Sequence, residues 1–215
     1  RTSSGALVIG KDGLPEKDPV PHVLGYMNPD WELGWSNKVT WQRFTLSWNL
    51  NVRMGGLIAS TTFFKLWESG RHPDAVGPLR DAAYRGETWL APGMNVVGGE
   101  LVRDVAGNVI KDTRIYTENQ YGVNWILYQQ VYNRDVDEQY TFDASFLKLR
   151  ELALAYKFTA PKNNRKWLKG MTLTLTGSNL LLLCKVPFVD PDGVTDNYLQ
   201  EPSQRNIGIN AQFNF

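Results

Sequence analysis

Residues 30–54 read "DWELGWSNKVTWQRFTLSWNLNVRM", and their period decides the fold. Trp31, Leu33, Trp35, Val39 and Trp41 share one phase of the first half, while Glu32, Ser36, Lys38 and Thr40 take the other. Phe44, Leu46, Trp48, Leu50, Val52 and Met54 then alternate with Thr45, Ser47, Asn49, Asn51 and Arg53. A strand turns successive side chains to opposite sides, so a period of two gives one apolar and one polar face. Only Gln42 and Arg43 separate the two runs, which predicts a tight hairpin.

The pattern recurs further on. "MTLTLTGSN" sets Met171, Leu173, Leu175 and Gly177 against Thr172, Thr174, Thr176 and Ser178. The final "NIGINAQFNF" sets Ile207, Ile209, Ala211, Phe213 and Phe215 against Gly208, Asn210, Gln212 and Asn214. "SFLKLRELALAYKF" changes phase, with Leu147 and Leu149 in one and Leu152, Leu154, Tyr156 and Phe158 in the other. A bulge near Arg150–Glu151 reconciles its halves; a strand buried on both faces is the alternative. That makes five strands, with "ALVIG" (Ala6–Gly10) a candidate sixth. Residues 56–143 carry turn chemistry, with helices expected near Thr61–Glu68 and Val123–Asn133 and a small hairpin at Val102–Ile110. Residues 159–169 form a basic link, and 181–204 a loop rich in Pro, Asp and Gly.

Composition narrows the chemistry. A net charge of +1 over 215 residues gives no case for nucleic acid or a polybasic membrane contact. One cysteine, Cys184, excludes an internal disulfide framework, and two histidines leave little for a metal centre. The densest apolar run, "NLLLLC", is far too short for a spanning helix. The chain opens on Arg1 without Met or signal peptide, so it is expected to be processed or cut from something longer.

Strand length then selects a class. Soluble strands average about 5–6 residues, whereas these runs match the roughly 9–11 needed to cross a bilayer at a tilt of about 45°. Backbone in hydrocarbon must pair on both edges, which only a closed barrel achieves. Bacterial single-chain barrels have eight or more strands. The expected fold is therefore all-β: the C-terminal strands of a larger antiparallel transmembrane barrel, unless other chains complete it. With the last residue on the periplasmic side, 42–43 and 159–169 become short inner links. The long links 56–143 and 181–204 then lie outside, as barrels require.

Several segments resemble the SusC/RagA type of TonB-linked outer-membrane transporters of Bacteroidetes. They are "GLPEKD" with "HVLGYMNPDWELGWSN" (the Asn28–Trp31 step), "SFLKLR" at Ser145–Arg150, "GSNL" at Gly177–Leu180, and "DPDG" before a strand ending in Phe. Together they cover residues 13–55 and 143–215 in the family's order. The resemblance implies a barrel of about 22 strands with an N-terminal plug that these residues do not contain. It implies TonB-powered import of oligosaccharides or peptides across the outer membrane of a Gram-negative bacterium, with a SusD-like surface lipoprotein as partner. It requires no cofactor or metal and no enzymatic step. A last strand ending in Phe213 and Phe215 resembles the assembly signal recognised by the barrel assembly machinery.

Loop aromatics Trp67, Trp89, Trp125 and Tyr128 are candidate substrate contacts, able to stack on a sugar ring; packing within the loop's own core is the competing role. Arg53, Lys148 and Arg150 are placed to line the lumen or to pair with Glu32 or Glu151. Asp190, Asp192 and Asp196 suit calcium less well than Asx-type turns. Asp74, Asp81 and Glu87 are expected to be solvated loop charge rather than a glycosidase pair. His22 and His72 are expected at the surface, and Cys184 as a small apolar filler. The alternative is a soluble all-β carbohydrate-binding module or glycan-active enzyme. In that case Trp31, Trp35, Trp41, Trp48 and Leu50 pack against a second sheet; in a barrel they face outward.

Overall fold

The computed structural model describes residues 1–159, 169–193 and 203–215. Most of the basic link and Asp196 lie outside the described residues. The hairpin is β1 (Trp31–Trp41) and β2 (Phe44–Met54), followed by a short β3 (Leu57–Ala59). Next come α1 (Thr61–Glu68), a 3-10 turn (Pro73–Ala75), α2 (Pro78–Tyr84), β4 (Trp89–Leu90) and β5 (Met94–Gly98). They are followed by β6 (Leu101–Arg103), β7 (Val109–Asp112), β8 (Ile115–Glu118), β9 (Gly122–Val123), α3 (Trp125–Asp135) and α4 (Asp137–Tyr140). The last strands are β10 (Thr141–Asp143), β11 (Phe146–Thr159), β12 (Gly170–Cys184) and β13 (Asn206–Asn214). The chain divides into a sheet unit, Gly25–Ser60 with Phe142–Phe215, and an insert unit, Arg1–Leu24 with Thr61–Thr141.

The sheet unit is built on five strands in the order β1-β2-β11-β12-β13. Every pair is antiparallel, and the expected hairpin is present, with Trp41 opposite Phe44 and Gln42 at φ 53. The expected bulge is also present: the register shifts between Leu149 and Glu151 against both neighbours of β11. Its physical effect is to keep the leucines together. A one-residue slip sends every later side chain to the other face, so the extra residue at Arg150 returns Leu152, Leu154 and Tyr156 to the side already held by Leu147 and Leu149. β12 runs further than the alternation of residues 171–179 indicates, because "LLLLC" continues to pair with Phe146–Leu149. Gly177 makes room on this strand: a Cβ there would lie 2.8 Å from Cδ2 of Leu180.

The insert unit has its own core of Ile9, Ala91, Val123 and Tyr128, flanked by Leu7, Leu14, Trp89 and Tyr132. Ala6–Gly10 therefore does not supply a sixth strand to the sheet; Val8 bridges Met94, Ile9 bridges Pro15, and both are buried. Apolar content alone cannot distinguish a barrel strand from a segment burying two residues in a small core. Buried Asn95 and Asn119 join the two parts of this unit. Asn95 Nδ2 donates to the Ile9 carbonyl (2.8 Å) and to Asn119 Oδ1 (3.2 Å), and Asn119 Nδ2 donates to the Ala91 carbonyl (2.9 Å). Both amides are thereby satisfied, as buried polar groups must be.

Helix signals are local and clear. Asn124 caps α3, its Oδ1 accepting from the amides of Ile126 and Leu127, a contribution of about 1 kcal/mol. α1 ends on Gly70 at φ 66, with the Gly70 amide on the Trp67 carbonyl and the Arg71 amide on the Leu66 carbonyl, a Schellman closure. The 61–68 helix and the 101–112 hairpin match their sequence expectations, and α3 starts two residues later than 123.

Candidate functional site

Three features of the molecule bear on function. The first is the two-faced sheet. Cross-strand partners lie on the same face, so pairing assembles rows. Val39, Leu46, Leu154, Leu175 and Ile209 form one row, and Trp35, Leu50, Leu149 and Leu181 another. Trp35 and Trp48 meet edge to face at 5.7 Å, and Phe44 meets Tyr156 at 4.7 Å. This apolar face is open: Trp35 is 49% exposed, Leu175 50% and Ile209 75%. Asn37 is an exception on it, its Oδ1 accepting from the Lys38 amide. The opposite face carries Thr, Ser and Asn, with Thr40 and Thr45 joined at 3.2 Å. A hollow of about 390 Å³ lies against β11, β12 and β13, lined by residues 151–153, 176–178 and 206–208 from both faces.

The second feature is an ionic cluster on the polar face of β11. Lys148 Nζ donates to Asp190 Oδ2 (2.5 Å) and Asp192 Oδ2 (3.0 Å), and Arg150 Nη2 donates to Asp192 Oδ1 (2.7 Å). Both Lys148 and Asp190 are buried. Val186 and Val189 pack with Ile58, Ala144 and Phe142, so the strand end is covered and the charges are shielded from water. Among the described residues Arg150 Nε, which is buried, has no hydrogen-bond partner. Asp190 Oδ1 also accepts from the Asp192 amide at 3.1 Å, which is the expected Asx turn. Arg53 pairs with Glu32 directly across the hairpin, Nε to Oε1 at 2.5 Å, whereas Arg150 pairs with Asp192 rather than Glu151. The Lys148–Asp190 tie joins residues 42 apart and leaves no local sequence signal.

The third feature is a cavity of about 80 Å³ in the insert unit, lined by Trp67, Arg80, Tyr84, Trp125, Gln129 and Gln130 among others. Two of the four aromatic candidates, Trp67 and Trp125, are thus brought together, although Trp125 is itself buried, at 7% exposed. The other two are not: Tyr128 is buried in the insert core, with Trp89 packed on it edge to face at 5.1 Å. Helical spacing explains the division, since Trp125 and Gln129 lie one turn apart on one side of α3, and Tyr128 and Tyr132 on another. Burial pushes the Tyr128 hydroxyl up to about 12. Trp67 stacks on His72 with ring centres 4.1 Å apart and planes 12° apart, and its Nε1–H is buried without a partner among the described residues. Such a group costs about 1–3 kcal/mol while unpaired. His72 is buried rather than at the surface, its Nδ1 accepting from the Asp74 amide, and burial lowers its pKa. Sequence spacing gave no hint of Arg80, Tyr84, Gln129 or Gln130 as cavity residues.

The remaining candidates disperse. Glu87 pairs with Arg85 at 2.7 Å, His22 lies 3.2 Å from Asp18, and the Asp74 side chain is exposed. Among the described residues no group of three or more His, Cys, Asp or Glu side chains is arranged to hold a metal. Cys184 ends β12, half-buried, with Sγ 3.5 Å from the Val186 carbonyl. At the C-terminus Phe213 pairs with Met171, and Phe213 and Phe215 are exposed. Lys169 anchors the end, its amide on the Asn214 carbonyl (2.7 Å) and its Nζ on the Phe215 carbonyl (2.9 Å).

No family model matches the chain. Among curated proteins, the chain is similar to TonB-dependent receptor P3 of Formosa agariphila, 21% identical over 206 residues. The match covers 95% of this chain and 17% of that receptor, so the chain spans about a sixth of the relative's length.

Proposed function

We propose that residues 1–215 are the C-terminal portion of a TonB-dependent outer-membrane transporter of the SusC/RagA type, importing glycan or peptide oligomers. The observation that carries this reading is the open apolar face, continuous across strands of 11, 11, 14, 15 and 9 residues and backed by a hydroxyl- and amide-rich face. Hydrocarbon is the solvent that suits Trp35, Leu175 and Ile209 together. A soluble module, by contrast, needs a second sheet over those side chains, and they are about half exposed or more, as are Trp31 and Trp41, while Trp48 and Leu50 are partly buried. The similarity to a receptor of this class supports the same reading.

On this reading the five strands are one arc of a closed barrel of about 22 strands, with residues 56–143 on the outside. Transport is binding and release, with no covalent chemistry. Trp67 and Trp125 contact cargo, a SusD-like lipoprotein covers the outside, and TonB acts through parts of the protein beyond these residues. Phe213 and Phe215 present the signal to the barrel assembly machinery. Fractionation tests the proposal: the full-length protein is expected in the outer-membrane pellet, released only by detergent. Recovery as a detergent-free monomer overturns it.

A further inference from the structure

We infer that the insert-unit cavity is a binding site for a carboxylate group. Its lining carries a guanidinium, two aromatic indoles, a phenol and two carboxamides, and no carboxylate. Arg80 is half-buried, and among the described residues its hydrogen bonds go only to neutral oxygens: the carbonyls of Gly70 (3.1 Å) and Ala75 (3.4 Å) and the hydroxyl of Tyr84 (3.4 Å), whose ring the guanidinium also overlies at 5.6 Å. Among the described residues no carboxylate lies within ion-pairing distance of Arg80, although most other arginines of this unit have one. The Trp67 indole lines the same cavity, as do the Gln129 and Gln130 carboxamides.

A half-buried cation without a counter-charge, with the Gln129 and Gln130 carboxamides on the wall of the same cavity, is complementary to an anion with oxygen acceptors, which takes both a charge-assisted and a neutral hydrogen bond. The cavity, about 80 Å³, exceeds the roughly 10–15 Å³ that one water needs. It has room for a carboxylate head while the rest of the ligand lies toward the mouth. Trp125, Tyr84 and the Trp67 indole provide apolar wall for a ring or methylene adjoining that head. An acidic sugar and the free C-terminus of a peptide present the same group. That such a ligand is cargo rests on the transport reading; its binding does not.

Isothermal titration of the full-length, detergent-purified protein tests this with two matched pairs: glucuronate against glucuronamide, and N-acetylglycine against N-acetylglycinamide. Each acid is expected to bind at millimolar concentration, as suits a small fragment, and its amide roughly tenfold or more weaker. The acid that binds more tightly identifies the source. Arg80→Gln is expected to erase the acid–amide difference. Because Arg80 also holds the Gly70 and Ala75 carbonyls, Gln129→Leu is the second variant; it keeps the bulk of the wall, removes a carboxamide that lines the cavity, and is expected to weaken both acids several-fold. Equal binding of acid and amide, no binding of either acid, or full affinity in Gln129→Leu overturns the inference. Each of these results leaves the membrane location, and with it the transport reading, intact.

Discussion

Replacing Lys148 by Met leaves a charge stranded in a protein interior, and the size of the effect follows from the surroundings of Asp190. Lys148 and Asp190 are each 5% exposed, and their 2.5 Å contact is the only ion pair Asp190 makes among the described residues. Methionine keeps much of the lysine volume but removes the ammonium. Asp192 retains Arg150, while Asp190 retains only the amide of Asp192. Removing one partner of a buried pair costs about 3–5 kcal/mol, which is roughly a 10²- to 4 × 10³-fold shift in a local opening equilibrium. The penalty falls on residues 185–193, which the cluster ties to β11. Hydrogen exchange on the full-length protein in detergent measures it directly. Amides of that segment are expected to exchange about a hundredfold faster, with the β1–β2 hairpin unchanged. The double variant Lys148→Met/Asp190→Leu removes both charges and is expected to recover at least half of the lost protection, because an apolar pair replaces an ion pair at little cost. Arg150 has a side chain 39% exposed, so Arg150→Gln, screened by solvent, is expected to cost under about 1 kcal/mol. Exchange in Lys148→Met within twofold of wild type, or acceleration spread over the whole sheet, refutes the reasoning.

Leu175→Arg, on the open face, is expected to destabilise folding into lipid by about 2–4 kcal/mol, while Asn210→Arg on the polar face costs far less; equal losses in a liposome refolding titration contradict the assignment of faces. Deleting Phe215 is expected to lower the outer-membrane level of the full-length protein several-fold without lowering its synthesis, read by immunoblot of fractions against total protein. The Asp143 carboxyl is held down at about 2 by the Lys185 ammonium and then by Ser145. Its folded pKa lies below the ordinary value, so its contribution is complete above about pH 4 and is lost as pH falls toward 2. Thermal unfolding between pH 5 and 2 is expected to show this loss, and Asp143→Asn to flatten that part of the profile.

What the sequence displays is periodicity, and what it hides is distance. Strand faces, the two-residue turn at Gln42–Arg43 and the bulge at Arg150 all follow from counting, because a period of two fixes which side chains share a face. α1 is equally legible, bounded by Thr61 and the Gly70 closure. The partners of Lys148 are not, since a 42-residue separation has no period. Nor is the role of Ala6–Gly10, whose Val8 and Ile9 answer to Met94 and Pro15 rather than to the sheet. The aromatic candidates show both sides of this. Tryptophan and tyrosine mark the insert as structured, but only α3 packing sends Trp125 to the cavity and Tyr128 to the core.

The short ladder between β3 and β10 has a consequence for how this protein can diversify. The chain leaves the sheet just after Leu57–Ala59 and returns through Thr141–Asp143, so the exit and the re-entry are stitched to each other before β11 begins. Whatever is spliced between those two strands inherits a ready-made base, and closing a longer excursion adds cost only logarithmically. A longer or shorter excursion therefore leaves the alignment of β2 with β11 as it was, whereas Arg1–Leu24, whose Ile9 shares a core with Ala91 and Val123, has to change together with the stretch it packs on.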